Sequence, residues 1–191
     1  MVTNNGESST PVRPSLKIAL VAIFASTCVG AGYLLALIPN VEIFTMLVFL
    51  GGLLFGKKIG MLNAFVSSII YFVFNLYGAS PVPLLVVQLA AYSLLGLLGG
   101  FLTNVKVRKI ITRRSQLVFG IIGAGFVFMY TFIADIVFSF IMGMNFFAWF
   151  LQGIIFTSIL VACNAITFGF LLPLIILPLD KYRIVTMFFK V

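Results

Sequence analysis

Long apolar runs, each closed by a turn signal or a short basic cluster, follow one another from residue 16 almost to the end of the chain. The first extends from about Leu16 to Ile38 and is broken by Pro39-Asn40. The second goes from Val41 to about Phe55 and stops at Gly56-Lys57-Lys58; the third, from Gly60 to Tyr77, is closed by residues 78–83. A fourth covers Leu84 to Leu102, a fifth Gln116 to about Met142, and a sixth about Phe147 to Leu177, with Pro173 and Pro178 near its end. Hydrocarbon offers no partner to an open backbone N–H or C=O, so such runs fold as helices or close into a barrel. A barrel needs polar residues at alternate positions, which these runs lack. The runs therefore predict six transmembrane helices, the second short for a crossing of about 30 Å.

Composition agrees. Hydrophobic residues make up 62% of the 191 and charged ones 8%, with a mean hydropathy of +1.24. Soluble domains carry about a quarter charged residues. The chain reads as an all-α, multi-pass protein of the cell membrane. Residues 1–15 are polar and predict a flexible N-terminal tail, leaving 16–191 as one six-helix domain with a short basic C-terminal tail. The first run exceeds the roughly 7–15 apolar residues of a signal peptide and is predicted to be retained.

All twelve basic residues fall into four clusters. Arg13 and Lys17 precede the first run, and Lys57 and Lys58 follow the second. Lys106, Arg108, Lys109, Arg113 and Arg114 follow the fourth, and Lys181, Arg183 and Lys190 follow the sixth. With six crossings every cluster stands on one face, and the positive-inside rule puts that face and both termini in the cytoplasm. The net charge of +8 thus records orientation and suits anionic headgroups of the lipid bilayer. It gives no amphipathic basic face for a nucleic acid.

The opposite face collects the polar and aromatic side chains. Asn40 and Glu42 stand in the first outer loop, and Asn75 and Tyr77 near the end of the third run, with Tyr71 one turn earlier. Gln88 and Tyr92 belong to the outer half of the fourth run, Tyr130 and Asp135 to the fifth, and Asn145, Trp149 and Gln152 to the start of the sixth. Asp135 is the most informative, because an ionisable group within a span is costly unless it faces a bundle interior or a watery cavity. These eleven residues, Tyr71 apart, are the predicted substrate-binding set. Any single ring here could instead be an interfacial anchor, and Asp135 could simply tie two helices together.

Enzymatic chemistry has little to work with. The chain has no His, no G-x-x-x-x-G-K-[ST] loop and no carboxylate pair within one helix, so no catalytic residue, metal site or cofactor is predicted. Cys28 and Cys163, far apart in apolar runs, read as small hydrophobes. Active transport would need an energy source outside the chain.

Small residues at four-residue spacing mark close helix contacts: Gly52, Gly56 and Gly60; Gly96 and Gly100; and Ala19, Ala22, Ser26 and Gly30 on the first run. Packing within the bundle and docking of another membrane protein would both use such faces.

The stretch Ile38-Pro39-Asn40-Val41-Glu42-Ile43-Phe44-Thr45, followed by Phe49-Leu50-Gly51-Gly52-Leu53-Leu54-Phe55-Gly56 and Gly60, resembles the first-loop and second-helix region of the substrate-binding S components of energy-coupling factor (ECF) vitamin transporters. Over residues 16–180 the length, helix count and orientation are similar to that family. The resemblance implies a protein that takes a vitamin or related micronutrient from the outer face, under the loop after the first helix. It further implies docking on a membrane coupling protein driven by two cytoplasmic ATPases. The family's A-x-x-x-A docking motif has its nearest counterpart in Ala22-x-x-x-Ser26, with Ala19 beside it, and these three are the predicted partner-docking residues. Two other readings remain open: a small polytopic scaffold similar to the cell-shape protein MreD, and a self-sufficient carrier or channel. The outer half holds Glu42 and Asp135 but no Lys, Arg or His, so the predicted ligand is a neutral or cationic ring compound rather than a phosphorylated one.

Overall fold

The computed structural model describes residues 14–103 and 112–181, which are helical with no strand among them. The tail reading for residues 1–13 and the clusters Lys106–Lys109 and Arg183–Lys190 lie outside the described residues. The helices are α1 (Pro14–Leu35), α2 (Phe44–Val73), α3 (Val82–Phe101), α4 (Arg113–Met142), α5 (Phe146–Ile166) and α6 (Leu172–Lys181). A π-helical turn, Thr167–Leu171, joins the last two. Five stretches are long and apolar enough to cross a membrane: 17–35, 44–73, 82–101, 113–142 and 146–177.

Several boundaries differ from the sequence reading. α1 begins at Pro14, inside the stretch read as tail, and a proline suits a first helical position because its missing N–H would have no partner there. It ends at Leu35, before the expected Ile38. The chain then leaves through short turns, with Ala36 N–H donating to Tyr33 O, Ile38 N–H to Leu35 O and Val41 N–H to Ile38 O. Pro39 biases Ile38 away from helical geometry, and Asn40 takes a left-handed φ of 60°.

The second and third apolar runs form one element, α2, but not a straight one. Gly56 has φ 80° and ψ 177°, a conformation closed to most side chains, and the helix folds back there. The ring of Phe44 stacks on that of Tyr71 with centroids 4.2 Å apart. A straight helix would separate those residues by about 40 Å. The limbs 44–55 and 57–73 therefore run antiparallel, the first only about 18 Å long at 1.5 Å per residue.

That first limb is the centre of the molecule. Every residue from Phe44 to Leu53 is buried, as expected of a helix that is apolar all round. The return limb, α3 and the limb itself meet through glycine. A methyl on Gly52 would stand 2.0 Å from the carbonyl oxygen of Gly96, and one on Gly60 would stand 2.3 Å from Gly52 Cα. Phe49 reaches the other side, with ring centroids 6.1 Å from Phe119 of α4 and 5.3 Å from Phe168 of the π turn. Pro173 lacks the N–H that would bond Gly169 O in an α-helix, and the ladder widens into the π turn just before it.

These contacts also set which ends meet. The start of α1 with Lys17, the turn at Lys57-Lys58 and the start of α4 with Arg113-Arg114 stand at one end of the bundle. Lys57 Nζ lies 3.8 Å above the Phe101 ring at the close of α3. The α1–α2 loop, the 74–81 loop and the α4–α5 turn at Gly143 stand at the other.

Glycine packing gives a measurable contrast. Gly60→Ala is expected to destabilise the fold by about 2–3 kcal/mol, since a backbone must move to admit the methyl. Gly30→Ala, where nothing lies within 4 Å, should be neutral or stabilise by about 0.5 kcal/mol. Thermal unfolding of the two variants in detergent checks this; equal losses would contradict the packing.

Candidate functional site

The end away from the basic residues holds an open, two-part cleft. One part, about 550 Å³, lies between α4 and α5 and is lined by Asn40, Tyr130, Asp135, Trp149, Gln152 and Leu160 among others. The second, about 460 Å³, lies under the α1–α2 loop against the return limb of α2, with Tyr33, Pro39, Asn40, Glu42, Tyr71, Asn75, Tyr77, Tyr92 and Tyr130 in its wall. Asn40, Tyr130 and Leu160 belong to both parts, so the loop divides one depression rather than separating two.

Local structure explains how each group arrives. Asn40 reaches the shared wall because its left-handed backbone turns the loop across the bundle end. Asn and Asp tolerate that conformation better than other non-glycine residues. Tyr77 is held to the loop by its hydroxyl, which donates to Ala36 O at 2.5 Å. Tyr33 likewise donates to Phe74 O at 2.8 Å, tying α1 to the return limb of α2. Tyr33, Tyr71 and Phe44 form a continuous stack, with Tyr33 and Tyr71 5.4 Å apart. Offset stacking of this kind fixes flat faces at the cleft wall.

Two carboxylates define the polar chemistry. Asp135 is half-buried and accepts from Trp149 Nε1 at 3.1 Å, which fixes the indole across the α4–α5 part. Glu42 Oε1 accepts from Thr45 Oγ1 at 2.5 Å and from Asn164 Nδ2 at 3.2 Å. Thr45 Oγ1 also lies 3.1 Å from the hydroxyl of buried Tyr92. Burial pushes the Glu42 carboxyl above its ordinary range, opposed in part by the bonds from Thr45 and Asn164. No Lys or Arg lines either part of the cleft among the described residues. Nor do any three His, Cys, Asp or Glu side chains among them gather as a metal site would require.

Of the residues singled out from sequence, Asn40, Glu42, Asn75, Tyr77, Tyr92, Tyr130, Asp135, Trp149 and Gln152 are brought to this one depression. Two are not. Gln88 is buried behind the wall, donating through Nε2 to Tyr130 Oη at 3.3 Å. Asn145 caps α5, its Oδ1 accepting from the N–H groups of Phe147 at 2.9 Å and Ala148 at 3.3 Å. That is the ordinary work of an N-cap asparagine. Sequence reasoning missed Tyr33 and Asn164. Tyr33 sits just before the Pro39-Asn40 break, a usable signal, whereas Asn164 lies deep within an apolar run.

Ala19, Ala22 and Ser26 are all exposed on one side of α1, as is Gly30. Ser26 Oγ is satisfied by Ala22 O at 2.8 Å. This face is thus shallow and takes no part in packing within the described bundle. Compared with family models, with curated proteins and with solved structures, the chain gives no match.

The Glu42 environment has a pH signature. A carboxyl raised in the fold binds a proton that the unfolded chain has already lost. Its contribution is therefore fully present below the ordinary carboxylate pKa and declines as pH rises above it. Unfolding midpoints of the wild type are expected to fall as pH rises above the ordinary carboxylate range. Glu42→Gln should flatten that slope, and an unchanged slope would place its origin in another group.

Proposed function

We propose that the chain is the membrane-embedded substrate-binding component of an ECF-type importer. In this reading it captures a vitamin or related micronutrient at the outer face and catalyses no reaction. The observation that carries it is the aromatic, two-carboxylate cleft under the Pro39-Asn40 loop, the place where the sequence resemblance puts the family's ligand. Counting the two limbs of α2 as separate passes gives six in all, with both termini on the basic, cytoplasmic side of the cell membrane. The exposed small-residue side of α1 then provides a shallow surface for a membrane coupling protein, which two cytoplasmic ATPases would drive.

The cleft chemistry narrows the ligand. Flat faces from Tyr33, Tyr71 and Trp149 suit a ring or an organic cation. Asn40, Asn75 and Gln152 offer hydrogen bonds to a neutral heterocycle. Two carboxylates with no cation beside them disfavour a phosphorylated or dianionic compound, whose desolvation would go uncompensated. The favoured class is a neutral or cationic ring compound.

Trp149 is the single tryptophan, so its emission reports binding directly. A ligand carried through purification, identified by mass spectrometry, is expected to quench or shift it saturably. Asp135→Asn should weaken a cationic ligand by at least about tenfold and a neutral ring by about threefold or less. Absence of any saturable ligand would favour a scaffold, and tight binding of a phosphorylated compound would overturn the charge argument.

The docking surface is tested separately. Ala22→Trp is expected to abolish uptake in cells supplying the coupling module while leaving ligand binding by the purified protein intact. Equal loss of both would exclude α1 as a docking face. Uptake without ATPase partners would point to a self-sufficient carrier.

A further inference from the structure

At the basic end, the outer surface between α4 and the π turn carries a groove of about 620 Å³ that the transport reading does not use. Its floor is made by small residues: Gly120 and Gly169 are buried, and Ala124 and Ala165 half-buried. The π turn contributes to this shape, because Gly169 faces Gly120 with no side chain between them; a methyl on Gly169 would come within 3.8 Å of Gly120 Cα. Leu117, Ile121 and Phe170 form the walls and are 69%, 70% and 62% exposed. The groove is therefore apolar along its length and open to the hydrocarbon.

Its end is different. Arg113 and Gln116, on the first turn of α4, close the groove where the helix reaches the basic end. Arg114 is adjacent, and the first turn carries no acidic residue. Two cations at the positive end of a helix dipole are mutually unfavourable, and an anion placed there relieves both. Among the described residues neither arginine has an ion-pair partner. An apolar slot ending in paired arginines at membrane-interface depth matches one kind of molecule, with a hydrocarbon chain on one end and a phosphate on the other.

We propose that this groove is a binding site for a single anionic phospholipid, its phosphate at Arg113 and Gln116 and one acyl chain along Gly120, Ala124 and Ala165. Basic pockets between membrane helices select anionic headgroups in this way. The site is distinct from the cleft at the opposite end and does not depend on what that cleft binds.

Native mass spectrometry of the purified chain in detergent tests the assignment, with phosphatidylglycerol and phosphatidylcholine of identical acyl chains as probes. Wild type is expected to hold phosphatidylglycerol at least about tenfold more tightly. Arg113→Gln should bring that preference below about threefold while phosphatidylcholine binding stays the same. Ala124→Phe, which fills the floor, should weaken both lipids about tenfold, and free glycerol phosphate should not compete. Trp149 emission like that of wild type verifies that each variant is folded. Equal binding of the two lipids by wild type, or a preference surviving Arg113→Gln, overturns the proposal. So does lipid binding indifferent to Ala124→Phe, the result expected if a partner helix rather than lipid fills the groove.

Discussion

The central limb Phe44–Leu53 is enclosed on every side, and this is possible only because its neighbours approach through glycine. Between Gly52 and Gly96 there is no room for a single methyl. In lipid, apolar side chains gain nothing by leaving one hydrocarbon environment for another, so close backbone packing has to supply what the hydrophobic effect supplies in water. The turn at Gly56 makes this arrangement reachable, since it returns the chain along the limb it has just left. Everything at the far end depends on that return. The Phe44–Tyr71 stack and the Tyr33 tie to Phe74 both need α2 to fold back.

Much of the frame was legible because its causes are local. Pro39 and the 78–83 segment interrupt apolar runs for reasons that act within a few residues. Confinement of the basic residues to the ends of those runs is likewise written in the order of the chain. The fold-back of α2 was half legible: Gly56-Lys57-Lys58 marked a break, but nothing local distinguished a kink from a reversal. Only the pairing of Phe44 with Tyr71 does so.

The cleft was less legible, and the failures are instructive. Asn164 bonds Glu42 from 122 positions away, and a lone asparagine in an apolar run gives no periodicity by which its partner could be found. Gln88 was placed at the correct end, but one layer too far forward. It stands behind Tyr130, and helical spacing cannot tell a wall from its support. Asn145 carried a readable N-cap signature, an asparagine just before an apolar run, which its position at the polar end obscured. A shared end of the bundle is therefore a weaker statement than a shared surface.

The shortness of the central limb has an electrical consequence. A limb of about 18 Å is well under the roughly 30 Å of hydrocarbon that the surrounding helices match. The open cleft above it carries the polar medium part of the way in. A membrane potential falls mostly across the low-dielectric part of its path, so along the axis of this bundle it is compressed into that shorter length. A charge at the mouth of a water-filled cleft would have crossed little of the voltage, and the remaining drop would lie along the buried limb, at about 1.7 times the average field.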